Sequence, residues 1–180
     1  MSVLTLPRIS PRITNRQQSS TVAPSSTFDL ALQGATIVAR LHNRDQRALD
    51  VHARSFTLEH TPAVHVVEPG AEMTACWQAS GRYDLGLHSV HGTYRRISGT
   101  TGAPQAEAKL RVRGGQVVLS VRNPGCESIE VEVCDGTSSR RVHLRPFARR
   151  RLSVATLDGA YEVRLQVVDQ DASQVLAGHL

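Results

Sequence analysis

The stretch "GRYDLGLHSVHGTYRRISGT", Gly81 to Thr100, decides how this chain is read. Apolar and polar residues alternate, the chain turns, and the alternation resumes before a double arginine and a glycine. "GAYEVRLQVVDQDASQVLAGH", Gly159 to His179, repeats the rhythm with different polar residues. A period of two places alternate side chains on opposite faces of a strand, so each phrase predicts a β-hairpin with one buried face. Working outward, "FDLALQG" from Phe28, "ATIVARLHN" to Asn43, "LDVHARSF", "AVHVVEPG" and "MTACWQASG" have the same character. Runs of about five to eight residues with turn signals every 8 to 12 predict a sandwich or barrel. No segment carries a helical 3.6-residue period over a helix's length.

The two halves superpose by anchors. Asn43 falls on Asn123, Gly81 on Gly159, Tyr83 on Tyr161 and Gly99 on Gly178, at offsets of 80, 78, 78 and 79 residues. The predicted fold is all-β: two tandem, small, immunoglobulin-like β-sandwich modules at 28–100 and 105–180. A polar joint, "TTGAPQAEAK", separates them. Residues 1–27, rich in Ser, Thr, Pro and Arg and without an acidic residue, read as a disordered arm or linker. The anchors have physical reasons. Asn turns a strand end through its own side chain, Gly before the Tyr strand permits positive φ, and Tyr buries a ring while keeping its hydroxyl at a polar edge.

Of the chain's 180 residues 40% are apolar, enough for a core, but aromatics are only 4%, so Val, Leu, Ile and Ala must fill it. The net charge is +5 and nearly all the basic residues are Arg, Lys109 being the single lysine. Genome base composition accounts for such a bias, and Arg also suits bidentate pairing with phosphates and carboxylates. No apolar run approaches the ~20 residues that span a bilayer, and the N-terminal stretch lacks a signal-peptide core. The chain therefore reads as cytoplasmic or as a piece of a longer exported protein. Cys76, Cys126 and Cys134 have no metal spacing. Cys126 and Cys134 flank one extended segment, too far apart to bond, so free thiols are expected.

The order of anchors resembles the C-terminal repeat region of bacterial phosphocholine-preferring phospholipases C, of haemolytic and non-haemolytic type. The residues that carry it are Asn43, Pro69-Gly70, Trp77, Tyr83-Asp84-Leu85, Arg95-Arg96 and Gly99, then Asn123, Tyr161 and Leu176 to His179. Departures are Glu162 in place of Asp, no Trp before Tyr161, and no Gly-Pro-Asn-Gly hairpin. The resemblance implies two small β-modules behind a phosphatase-like catalytic domain that is absent from this chain. No catalytic residue, cofactor or metal is thus expected here. The implied partners are that catalytic domain, in cis or in trans, and a phospholipid surface, with a secreted or periplasmic location. The parent reaction would be hydrolysis of phosphatidylcholine or sphingomyelin on the glycerol or ceramide side of the phosphate.

Two polar sets stand out as candidate contacts. Asp84 with Arg95 and Arg96 reads as a cross-strand ion pair, or as an Arg clamp for a lipid phosphate. Arg140, Arg141, Arg145, Arg149, Arg150 and Arg151 crowd into "SRRVHLRPFARRRLS". They fit a charged edge strand kept from pairing or a surface that docks an anionic membrane or partner. Phe147 as the sole ring nearby argues against nucleic acid. The eight histidines show no ligand spacing, and strand alternation exposes most of them. The alternative function is a stand-alone adaptor that binds an acidic partner through the Arg140–Arg151 patch.

Overall fold

The computed structural model describes residues 26–180; residues 1–25 of the expected N-terminal arm lie outside that range. Fourteen strands and no helix make up the described residues. In the first half these are β1 (Ser26–Gln33), β2 (Thr36–Asn43), β3 (Leu49–Arg54), β4 (Ala63–Val67), β5 (Glu72–Gln78), β6 (Arg82–Ser89) and β7 (Tyr94–Thr100). In the second they are β8 (Glu107–Arg113), β9 (Gln116–Arg122), β10 (Ile129–Cys134), β11 (Ser139–Leu144), β12 (Arg149–Val154), β13 (Ala160–Val167) and β14 (Ser173–His179). The first strand begins two residues before the expected boundary: Ser26 pairs with Asn43 and is buried, so Ser26 and Thr27 belong to β1 and not to an arm.

Each half has the same layout. A three-stranded sheet, β1-β2-β5 or β8-β9-β12, covers four strands in the order β4-β3-β6-β7 or β11-β10-β13-β14. All ladders are antiparallel. The fold is thus a β-sandwich, as the two-residue period predicts. Alternation supplies each core. Ile37, Ala39 and Leu41 of β2 and Trp77 of β5 meet Leu49 and Val51 of β3 and Leu85, Leu87 and Ile97 of β6–β7. Val117, Leu119 and Val121 meet Val131, Val133, Leu144, Val163 and Leu165 in the second half. Each Val, Leu or Ile side chain so removed from water contributes about 1.5–3 kcal/mol.

The halves are not two separate sandwiches on a string. The last strand of each, β7 and β14, pair antiparallel over Ser98↔Ser173 to Tyr94↔Ala177 and fuse the four-stranded sheets into one of eight strands. Nothing in the two-residue period specifies that partner, because both strands would otherwise be open edges and any antiparallel edge could satisfy them.

The repeated anchors are joints between layers. The Asn43 amide donates to the carbonyls of Arg47 (2.8 Å) and Val67 (2.9 Å), and its Oδ1 accepts the N–H of Asp45 (2.9 Å). Asn123 does the same eighty residues on, donating to Glu127 (2.7 Å) and Leu144 (3.2 Å) and accepting from Gly125 (2.9 Å). Tyr83 lies across Gly99 on the neighbouring strand, and Tyr161 across Gly178. A Cβ at Gly99 or Gly178 would sit 2.7 or 2.6 Å from the phenol oxygen, which is why glycine recurs there.

Candidate functional site

The double arginine in the opening stretch divides at once. Adjacent residues on a strand face opposite ways, so Arg95 and Arg96 cannot form one clamp. Arg96 faces outward. It grips Asp84 with two bonds, Nε to Oδ1 at 2.8 Å and Nη2 to Oδ2 at 2.6 Å. The hydrogen bond to Asp84 raises the Arg96 pKa. The expected cross-strand ion pair is present, on the diagonal: Asp84 stands opposite Ser98, and Arg96 opposite Gly86. Occupied in this way, Arg96 is a weak candidate for an outside phosphate.

Arg95 corrects the expectation that it lies on a contact surface. It is 7% exposed and points between the layers at the junction of the halves. Its Nε donates to the Phe28 carbonyl (3.3 Å), its Nη1 to those of Tyr94 (2.8 Å) and Ala177 (3.1 Å), and its Nη2 to the Tyr161 hydroxyl (3.5 Å). The same junction is tied by the Ser98 and Ser173 hydroxyls at 2.7 Å, by Gln174 donating to the Ala106 carbonyl, and by Lys109 Nζ to Asp29 at 3.1 Å. Gln105 of the joint donates to the Tyr83 hydroxyl at 2.6 Å. Burial pushes the Tyr83 phenol up to about 12, although the Gln105 bond acts in the opposite direction.

The second arginine set also divides. β11 and β12 are both edge strands, the position in which charge discourages unwanted pairing. Arg140 is engaged internally: its Nη2 donates to Asp135 Oδ2 (3.0 Å) and to the Ser153 carbonyl (2.7 Å). Arg141 lies 3.9 Å from Glu130. Arg145, Arg149, Arg150 and Arg151 are exposed and have no ion pair among the described residues. Arg145 and Arg149 flank the tight turn that carries Phe147. That ring is 62% exposed, on a residue with φ of 56°.

Asp135 is a polar residue that the sequence reading passed over. Its Oδ1 accepts from the backbone and hydroxyls of Thr137 and Ser138, and its side chain is buried. Burial alone would raise its pKa, but these donors together hold the carboxyl well below the usual carboxylate range. Its partner in the first half is Ser55, whose hydroxyl accepts from the N–H groups of Thr57 (3.1 Å) and Leu58 (3.0 Å).

Of the histidines, His42 Nδ1 approaches Glu72 at 3.1 Å and His65 meets Trp77 edge-on at 5.6 Å. His65 is half-buried, because it faces the core side of edge strand β4. Among the described residues no three His, Cys, Asp or Glu side chains converge on a point that would hold a metal. The three cysteines are free. No described helix is long and apolar enough to cross a membrane.

No family's sequence model matches this chain, and no curated protein matches it. A solved structure described as "Structural basis of neurohormone perception by the receptor tyrosine kinase Torso" is similar at 9% identity and a TM-score of 0.27, covering 89% of this chain and 75% of that one.

Proposed function

We propose that this chain is a non-catalytic β-sandwich unit that serves a phospholipase C catalytic domain, in cis or in trans, by holding it to a phospholipid surface. The observation that carries the reading is the β11–β12 turn, where the exposed Phe147 ring is surrounded in sequence by Arg145, Arg149, Arg150 and Arg151. An exposed ring that can enter the headgroup boundary, set among cations that attract anionic lipid, is a recognised design for reversible membrane attachment. Each such cation contributes about 1 kcal/mol near an anionic surface. The motif order that resembles the phospholipase C repeat supports the choice of partner. Its asparagine and Tyr-over-Gly anchors are structural joints here, as befits a scaffold.

Co-sedimentation with phosphatidylcholine vesicles, with and without an anionic lipid, tests this at low and high salt. Binding to the anionic vesicles is expected, weakened by salt, by Phe147→Ser and by the triple change of Arg149, Arg150 and Arg151 to Ser. Phospholipase turnover by this chain alone would overturn the non-catalytic reading. Vesicle binding that ignores Phe147 and these arginines would overturn the surface assignment. Failure to bind vesicles, with salt-sensitive capture by an acidic protein, would favour the adaptor reading.

A further inference from the structure

Opposite the continuous eight-stranded sheet the second layer is interrupted. One three-stranded sheet ends on β1 and the other on β8, the two edges approach each other, and no ladder joins them among the described residues. In that gap lies a cleft of about 370 Å3 whose floor includes Arg95 and Tyr161 and whose walls are the first residues of β1 and the second half of β8. Alternation along "KLRVR" puts Lys109, Arg111 and Arg113 on one face of β8, and Arg44 completes the lining. Asp29 is the sole carboxylate in the lining, and Lys109 already takes it at 3.1 Å. Arg44, Arg111 and Arg113 are exposed and have no acidic partner among the described residues. None of residues 1–25 is acidic, so that segment holds no side-chain carboxylate to offer them.

Arg95 is the telling member. A guanidinium always carries its charge and five N–H donors. Taken from water it needs an anion or a full set of acceptors. Here it has only neutral acceptors, and they engage Nε, both Nη1 hydrogens and one hydrogen of Nη2. The other Nη2 hydrogen has no protein acceptor among the described residues.

We propose that this cleft binds a terminal phosphoryl group, the dianion of a phosphomonoester, with Arg95 at its floor and Arg111 and Arg113 at its rim. A carboxylate brings one charge and two oxygens in a plane, too little for so many cations. A phosphodiester has one charge and only two free oxygens, with a substituent on either side to be accommodated. A terminal phosphoryl group offers three oxygens to several donors at once and needs room for one substituent only. The site is separate from the Phe147 turn and does not depend on the lipid reading of that turn.

The test is an NMR titration of the full chain with inorganic phosphate and with glycerol phosphate, against acetate at equal ionic strength. Saturable shifts are expected at the Arg95 Nε–H and at backbone amides of residues 26–29 and 109–113. Arg111→Ser with Arg113→Ser, both exposed and without a side-chain bond among the described residues, should weaken binding about tenfold, the equivalent of one good charge-assisted bond. The Arg149, Arg150 and Arg151 triple variant should bind phosphate like the parent. Shifts that never saturate, that acetate reproduces, or that survive the Arg111 and Arg113 changes would overturn the proposal. Vesicles of phosphatidylcholine with phosphatidic acid, against phosphatidylserine in its place, identify the source. Binding specific to phosphatidic acid and lost with Arg111 and Arg113 assigns a lipid headgroup; saturation by glycerol phosphate with vesicle binding indifferent to those arginines assigns a soluble phosphoester. Both outcomes uphold the site.

Discussion

In the first half, β5 carries Trp77, and its ring meets His65 of β4 edge-on across the sandwich wall. In the second half the same two places on the ladders belong to Val154 and Val142. Edge strand β4 is "AVHVV", with Val64 and Val66 exposed, whereas its counterpart β11 is "SRRVHL" with two arginines. Edge strand β5 bears Glu72 where β12 bears Arg149. Yet Asn43 and Asn123, Ser55 and Asp135, and the Tyr-over-Gly pairs do nearly the same work in both. Core filling tolerates exchange where the neighbours repack around it, and edge chemistry follows the surroundings. A joint that must satisfy a buried backbone group at one geometry has few substitutes. The two halves therefore agree at joints and differ at walls.

The largest break in that equivalence would come from the asparagines. Asn43→Ala and Asn123→Ala each strip a buried amide that serves the carbonyls of a loop and of a neighbouring strand's end, and each should cost about 3 kcal/mol as those groups lose their partners. Urea unfolding of the two variants should give closely matched losses. If Asn123→Ala were nearly silent while Asn43→Ala was not, the two joints would be alike in shape only.

The glycines come next. Alanine at Gly99 or Gly178 must push back a buried phenol, and overpacking of this kind costs about 2 kcal/mol. Gly178 meets more of the ring, with the phenol oxygen at 2.6 Å and Cζ at 2.9 Å, against 2.7 and 3.1 Å at Gly99. Gly99 adds a φ of 159° and the Ala172 Cα at 3.3 Å, so the two losses should be of similar size. Pairing each with the matching Tyr→Phe change, which removes the clashing oxygen, should recover part of the loss. No recovery would mean that the backbone, and not the phenol, resists the new methyl.

The strands, their inward faces and the asparagine joints were legible because each is written locally: a period of two, an Asn at a strand end. The Tyr-over-Gly contacts and the Asp135 turn were not read, because each needs a register or a fold-back that the period of two leaves open. The Asp84–Arg96 pair was legible because one short hairpin fixes its register. What the sequence did not disclose lies where distant segments meet. Alternation in "YRRIS" already turns Arg95 inward and Arg96 outward, but the acceptors that Arg95 meets, on Phe28, Ala177 and Tyr161, come from distant segments. Arg140 looks like its neighbours until Asp135 turns back to meet it. The face shared by Lys109, Arg111 and Arg113 could have been read from alternation alone. Its meaning depends on β1 stopping short of β8, which no local pattern encodes.

The smallest effect is also the one that separates the halves by pH. Ser55 and Asp135 hold equivalent turns, but only Asp135 titrates. Its native carboxyl binds a proton less readily than the unfolded side chain, whose ordinary value is about 3.9. The unfolded state thus takes up protons first as pH falls. The stabilisation from Asp135 is therefore complete above about pH 4 and is lost as the pH drops toward its depressed native value. Asp135→Asn keeps one oxygen acceptor for Thr137 and Ser138 and gives up the charge, a loss of about 1 kcal/mol at pH 7. The gap between parent and variant should hold from pH 7 to about 4 and close on further acidification. Ser55→Ala should show a gap that pH leaves alone. Unfolding curves at several pH values decide the matter: a constant gap for Asp135→Asn down to pH 2 would mean that shape, and not charge, holds the second turn as it holds the first.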